Sequence, residues 1–170
     1  MILDVNRSKL KRSTFLWGGL FLFFLLFSLA YFLLRADKQT EVVLFFPNYG
    51  THHLTGESRA VPLHATLENN IVSLVNELIL GPEELRHDRA VPRATTIRSL
   101  LLRNGVVYLD LSYEVLFPDP QTTLGFSETL NAIRKTITFN YPEVHKIVIT
   151  VDGHEPKSEI PANYYGPSRR

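Results

Sequence analysis

Ser99, Asp110 and Ser112 come closest to a polar site in this sequence. They fall on two apolar runs, Thr95 to Arg103 and Val106 to Ser112, joined by Asn104-Gly105. Asn-Gly supplies the positive φ angles of a two-residue type I′ turn, so the runs fold into a hairpin with Arg103 opposite Val106. Ser99 then faces Asp110, and Ser112 follows two residues on. A hydroxyl becomes a nucleophile only beside a base that a third group orients, and nothing near these serines supplies either. The expected roles are structural: a cross-strand hydrogen bond between Ser99 and Asp110, with Ser112 capping the helical turn that follows. No catalytic residue is expected.

The histidines are dispersed. His52 and His53 share a loop, while His64, His87, His145 and His154 lie apart. A zinc site needs three or four convergent ligands, and the chain has no cysteine and no His-Glu-x-x-His pattern. No metal or cofactor is expected. Asp152-Gly153-His154 reads as a strand-ending turn. Leu78 to Pro82 resembles a phosphate loop only superficially. A helix C-terminus has the wrong dipole for an anion, so Gly81-Pro82 is a helix stop.

The hairpin register also sorts the apolar side chains. Leu100, Leu102, Val107, Leu109 and Leu111 make the better core face. Ile97, Leu101, Val106 and Tyr108 form an apolar strip on the other face. Such a strip is either a protein-contact surface or a face covered by another part of the chain. The covering candidates are a strand at residues 57–64 and the C-terminal tail with Tyr164 and Tyr165.

The elements that position these residues follow from periodicity. Glu41 to Pro47 is rich in β-branched and aromatic residues and reads as a strand. Residues 57–64 make a weak strand, demoted by Pro62. Leu67 to Leu80 is a helix with Leu67, Ile71, Leu74, Val75, Leu78 and Ile79 on one face. Tyr113 to Phe117 makes a helical turn. Ser127 is the candidate N-cap of a second helix ending near Asn140, with Phe126, Leu130, Ile133, Ile137 and Tyr141 as its buried stripe. His145 to Val151 is the last strand. The βαββαβ order predicts an α+β two-layer sandwich with two helices on one face of a sheet.

Thr14 to Leu34 is 21 residues without a charge. As a helix rising about 1.5 Å per residue it matches the hydrocarbon core of a bilayer. It exceeds the usual ~7–15 residues of a signal-peptide core, and so reads as an uncleaved anchor. Four of the 18 Lys and Arg residues and one of the 17 Asp and Glu residues precede it, leaving 14 against 16 beyond. That asymmetry predicts a cytoplasmic N-terminus and an extracytoplasmic C-terminal domain. The expected organisation is a tail at 1–13, a transmembrane helix at 14–34, a link at 35–40, a domain at 41–154 and an extended tail at 155–170. The absence of cysteine excludes disulfides, a cysteine nucleophile and lipoprotein acylation. A net charge of +1 gives no reason to expect a nucleic-acid partner. Gly18-Gly19 and Ser28 admit close helix contacts without GxxxG spacing.

From Val43 to Gly153 the chain resembles the GerMN domain, the module named after a bacterial sporulation and germination protein. Five short motifs carry the resemblance, in order. They are Leu78-Ile79-Leu80-Gly81-Pro82, Val91-Pro92-Arg93-Ala94-Thr95, Asn104 through Ser112, Thr136-Ile137-Thr138, and Pro142 through Gly153. The family pattern usually has Gly where this chain has Ala94. The resemblance implies a fold similar to the ring-building modules of cell-envelope assemblies, which bind partner proteins or sit near peptidoglycan machinery. It carries over no catalytic residues. The implied function is a membrane-anchored scaffold or binding module of the envelope, in sporulation, germination or peptidoglycan-related assembly. Its partners would be envelope or membrane proteins, self-association included. A cell-wall hydrolase, or a regulator of a cell-wall enzyme, is the alternative.

Overall fold

The structure is a computed structural model that describes residues 5–34, 38–117 and 120–156, with side chains of the first helix given for residues 17–31. The chain divides at residue 38 into two compact units.

The first unit holds one helix, α1 (Val5–Leu34), which begins inside the expected tail. Phe23 stacks on Phe27 one turn later, with ring centroids 6.3 Å apart. Among the described residues no helix is long and apolar enough to cross a membrane. The expected span of 14–34 extends past the side chains described there.

The second unit runs β1 (Gln39–Pro47), β2 (Leu54–Pro62), α2 (Leu67–Leu80), β3 (Ile97–Arg103), β4 (Val106–Leu111), a 3-10 turn at Tyr113–Leu116, α3 (Phe126–Asn140) and β5 (Lys146–Val151). The fold is α+β, but the strands form two sheets rather than the single one expected. β1 and β2 are an antiparallel pair; β3, β4 and β5 form a second sheet with β4 and β5 parallel. The weak strand expected at 57–64 is a full nine-residue partner of β1, so the order becomes ββαββαβ. Pro62 ends that strand rather than demoting it, because it occupies the last paired position. The expected link at 35–40 shortens, since Gln39 and Thr40 already belong to β1.

Helix α3 explains why the sheets stay apart. It lies along the edge of β1 that β2 leaves free. The Val43 N–H donates to Asn140 Oδ1 at 2.9 Å, and Asn140 Nδ2 donates to the Val43 carbonyl at 2.7 Å. Phe45 N–H donates to Thr136 Oγ1 at 3.2 Å. One carboxamide therefore does the work of an antiparallel neighbour and satisfies an edge that would otherwise template pairing. Asn140→Leu is expected to cost about 2 kcal/mol in urea unfolding, because it leaves two backbone groups of Val43 unpaired.

The core lies between the helices and the inner strand faces. Val42, Leu44 and Phe46 from β1 meet Ile71, Leu74, Val75 and Leu78 from α2, with Leu130, Ile133 and Ile137 from α3. Val107, Leu109 and Leu111 join them from β4, as the hairpin register requires. Tyr141, expected in the buried stripe of α3, is only half-buried. The α3 N-cap is Gly125, not Ser127: the Glu128 carboxylate reaches back to accept from Gly125 N–H at 2.9 Å, and the helix starts two residues early. Ala94 is absent from the non-glycine residues with positive φ, which among the described residues are His52, Asn104 and Asp152.

Candidate functional site

Asn104 and Gly105 take φ values of 49° and 71°, as a type I′ turn needs, and Arg103 pairs with Val106. Ser99 pairs with Asp110 and Leu101 with Tyr108. The register shifts between Ile97 and Ser99, so Ile97 pairs with Leu111 across a bulge at Arg98. An extra residue in one strand reverses the facing of everything before it. Ile97 therefore packs against the core and leaves the expected contact strip.

Arg98, the inserted residue, now reaches the outer face. Its Nε lies 3.3 Å from Asp110 Oδ2, and Nη1 is paired with Asp152. Asp110 does not turn to Ser99. It accepts from Thr150 Oγ1 at 2.7 Å and from Gly153 N–H at 2.9 Å. Partial burial raises the Asp110 pKa. The Gly153 and Thr150 bonds, with the charges of Arg98 and His154, outweigh that and hold it below the usual carboxylate range. Asp152 and Gly153, with φ of 53° and 78°, form the strand-ending turn. Ser112 occupies the N-cap position of the 3-10 turn without capping it. Its hydroxyl accepts instead from Thr96 N–H at 3.0 Å, because the bulge brings that amide within reach.

The outer face of β3, β4 and β5 thus carries three cross-strand rows. Arg103, Val106 and Lys146 form one, Leu101, Tyr108 and Val148 the next, and Ser99, Asp110 and Thr150 the third. The middle row is apolar and uncovered by any described residue, with Leu101 54% and Tyr108 45% exposed. Neither β2 nor the described part of the tail lies over it: β2 pairs with β1, and Glu155 and Pro156 line a cleft against α3. Residues 157–170, with Tyr164 and Tyr165, lie outside the described residues. Leu101 and Tyr108 keep the place expected of them, Val106 is half-buried at the rim, and Val148 joins them unforeseen.

A second cluster, buried, escaped the sequence reading. Glu57 is 4% exposed on β2. Its carboxylate accepts from Arg59 Nη2 at 2.8 Å, Glu83 N–H at 3.0 Å and Glu84 N–H at 3.3 Å, and lies 3.1 Å from His87 Nδ1. His87 Nε2 lies 2.9 Å from Thr55 Oγ1, and the imidazole stacks on Phe46. Hydroxyl, imidazole and carboxylate stand in the order of an acyl-transfer relay. Every group also has a fastening role, since together they tie the loop after α2 onto β2. Burial pushes the Glu57 carboxyl up, but bonds from Glu83 N–H, His87, Arg59 and Glu84 N–H hold it below its ordinary value. Only the 30-residue separation of Glu57 and His87, invisible to periodicity, kept this cluster hidden.

His52 and His53 border a cleft of about 350 Å³ with Glu128 and Lys135. Among the described residues no group of three or more His, Cys, Asp or Glu side chains could hold a metal ion.

Residues 43–157 match the family model Germane, described as sporulation and spore germination. No curated protein matches the chain. Solved structures that are similar include the three that follow. The tandem GerMN domains of the sporulation protein GerM from Bacillus subtilis share 20% identity at a TM-score of 0.53, over 71% of this chain and 41% of that one. The first GerMN domain of the same protein shares 17% at a TM-score of 0.47, over 72% and 90%. A lipoprotein from Clostridium perfringens, itself described only by inference, shares 23% at 0.43, over 71% and 80%. At these identities the tandem structure speaks for the fold alone. The family model spans most of the chain and covers α2, α3, the second sheet and all but the start of the first, and on that match the chain belongs to the Germane family of sporulation and spore germination modules.

Proposed function

We propose that this chain is a membrane-anchored, non-catalytic protein-binding module of the bacterial cell envelope, acting in sporulation or germination through the outer face of β3, β4 and β5. The observation that carries this reading is the uncovered row of Leu101, Tyr108 and Val148. A contiguous apolar patch framed by charge is the usual mark of a contact surface. Family membership supports the process, and a module without its own chemistry fits that family. The uncharged stretch 14–34, with cations before it, supports the anchor and the extracytoplasmic placing of the domain. With β1 starting at Gln39, the link is the four residues 35–38, which reach at most about 14 Å, so partners are membrane-proximal envelope proteins, a second copy included.

The test places a photo-crosslinking amino acid at position 101 or 108 of the full chain in intact sporulating cells, with position 69 on α2 as control. Specific crosslinks from 101 and 108 are expected, and they disappear when Tyr108→Asp is introduced beside the probe at 101. Equal crosslinking from all three positions, or none under conditions that capture known envelope complexes, sinks the reading. A partner that is a cell-wall enzyme would make the module its regulator.

The Thr55–His87–Glu57 arrangement favours a second reading, a cell-wall hydrolase. Turnover of peptidoglycan by the purified chain, lost in Thr55→Ala with the fold intact, would place this reading first.

A further inference from the structure

The outer face of β3, β4 and β5 is charged unevenly along its strands. Arg103 and Lys146 stand at the end beside the Asn104-Gly105 turn, both exposed, and among the described residues neither has an ion pair. Glu143, the acid nearest to Lys146 in sequence, acts on Tyr141 at the C-cap of α3, on the core side of the sheet. At the far end one guanidinium, Arg98, stands among three carboxylates. It is paired with Asp110 and Asp152, and Glu114 lies within its field. His154 also acts on Asp110 there. The face therefore runs from a cationic row, through the apolar row of Leu101, Tyr108 and Val148, to an end with an excess of carboxylate.

A face with this order is complementary to itself. Two copies can meet across it about a two-fold axis that lies in the interface. An axis along the strands would set Arg103 and Lys146 against the same cations of the second copy. An axis along the apolar row sets the cationic row of each copy against the carboxylate end of the other. It also lays Leu101, Tyr108 and Val148 on the same residues of the second copy. Charge selects this second arrangement.

We propose that the partner of this face is a second copy of the same chain, docked about a two-fold axis that runs along the Leu101–Tyr108–Val148 row. The inference rests on the reading of this face as the contact surface, and it adds which partner the face meets and in what orientation. Three strands about 4.8 Å apart, each with six residues of about 3.4 Å, make a face roughly 10 by 20 Å. That is well short of the ~800 Å² that each partner buries in a stable complex. The pair is therefore weak, and it forms where chains share one membrane and their effective concentration is high.

The test reconstitutes the full chain into liposomes at several densities and applies a short thiol-to-thiol linker. The chain has no cysteine, so each introduced one reports a single position. Val106 and Ser99 stand on rows about 14 Å apart, four residues along the strands. The proposed axis brings Val106 of one copy over the Ser99 row of the other and keeps the two Val106 residues apart by that same distance. A mixture of Val106→Cys and Ser99→Cys chains should therefore crosslink, while Val106→Cys chains alone should not. Arg103→Glu combined with Lys146→Glu should lower the mixed crosslink about tenfold, with urea unfolding of the chain in detergent unchanged. Crosslinking of Val106→Cys alone as strong as that of the mixture overturns the proposal, and so does a mixed crosslink indifferent to the two glutamates. No crosslink at any density overturns it as well. Specific crosslinks from positions 101 and 108 to other envelope proteins in cells would then leave the contact surface standing with a different partner. A mixed crosslink that appears only after residues 157–170 are removed also overturns it, because the chain's own end would be the occupant.

Discussion

Glu57→Ala is expected to lower the unfolding free energy of the domain by about 3 kcal/mol, as breaking a buried, hydrogen-bonded ion pair does. The carboxylate satisfies Arg59, two backbone N–H groups and His87 at once. Removing it takes a partner from all four, in a site where Arg59 and His87 are largely buried. Arg59 keeps Glu77 at 2.9 Å, so its charge is not wholly abandoned, and this holds the loss to the lower end of the range. Urea unfolding of the full chain in detergent measures the effect, and a loss under 1 kcal/mol would count against the fastening role. The same carboxylate sets an acid limit. Its folded pKa is depressed, so its contribution is complete above the ordinary glutamate value of about 4.3 and is lost as pH falls through the lower folded value. Glu57→Gln should flatten the stability profile across that window and leave the neutral side unchanged in slope.

Phe46→Ala is expected to cost about 3–5 kcal/mol, the usual range for truncating a fully buried aromatic ring. Phe46 has no exposed surface and belongs to the inward row of β1 with Val42 and Leu44. Its ring also stacks on His87, at 6.3 Å between centroids. The cavity therefore opens beside the Glu57 cluster. The two substitutions share a neighbour, so their combined loss should fall short of the sum of the single losses. Strict additivity in a double-mutant cycle would show that the ring and the carboxylate hold the loop independently.

Short-range chemistry made much of this domain legible. Asn104-Gly105 set the register of the β3–β4 hairpin, and Gly81-Pro82 set the end of α2. The features that stayed hidden all depend on partners distant in sequence. The bulge at Arg98 is secured by Asp152, 54 residues away, and no local residue announces it. That one insertion decides whether Ile97 belongs to the core or to the exposed row. Glu57 meets His87 across 30 residues. The split into two sheets depends on Asn140, a polar residue at the end of a helix whose apolar stripe gave no hint that it also closes an edge. The candidate contact surface was legible in Leu101 and Tyr108. Its third member, Val148, required knowing that β5 lies parallel beside β4.

The bond between Val43 and Asn140 spans 97 residues. It gives the domain a problem of timing as well as of structure. During synthesis β1 and β2 emerge first and can zip into a hairpin that carries Phe45 and Phe46. Its outer edge stays open until residue 140 has been made. Contacts so distant in sequence close late and slow the final folding step. The interval of greatest exposure to wrong pairing therefore falls between the emergence of β2 and that of α3, and a ribosome pause there should raise misassembly more than a pause after residue 140.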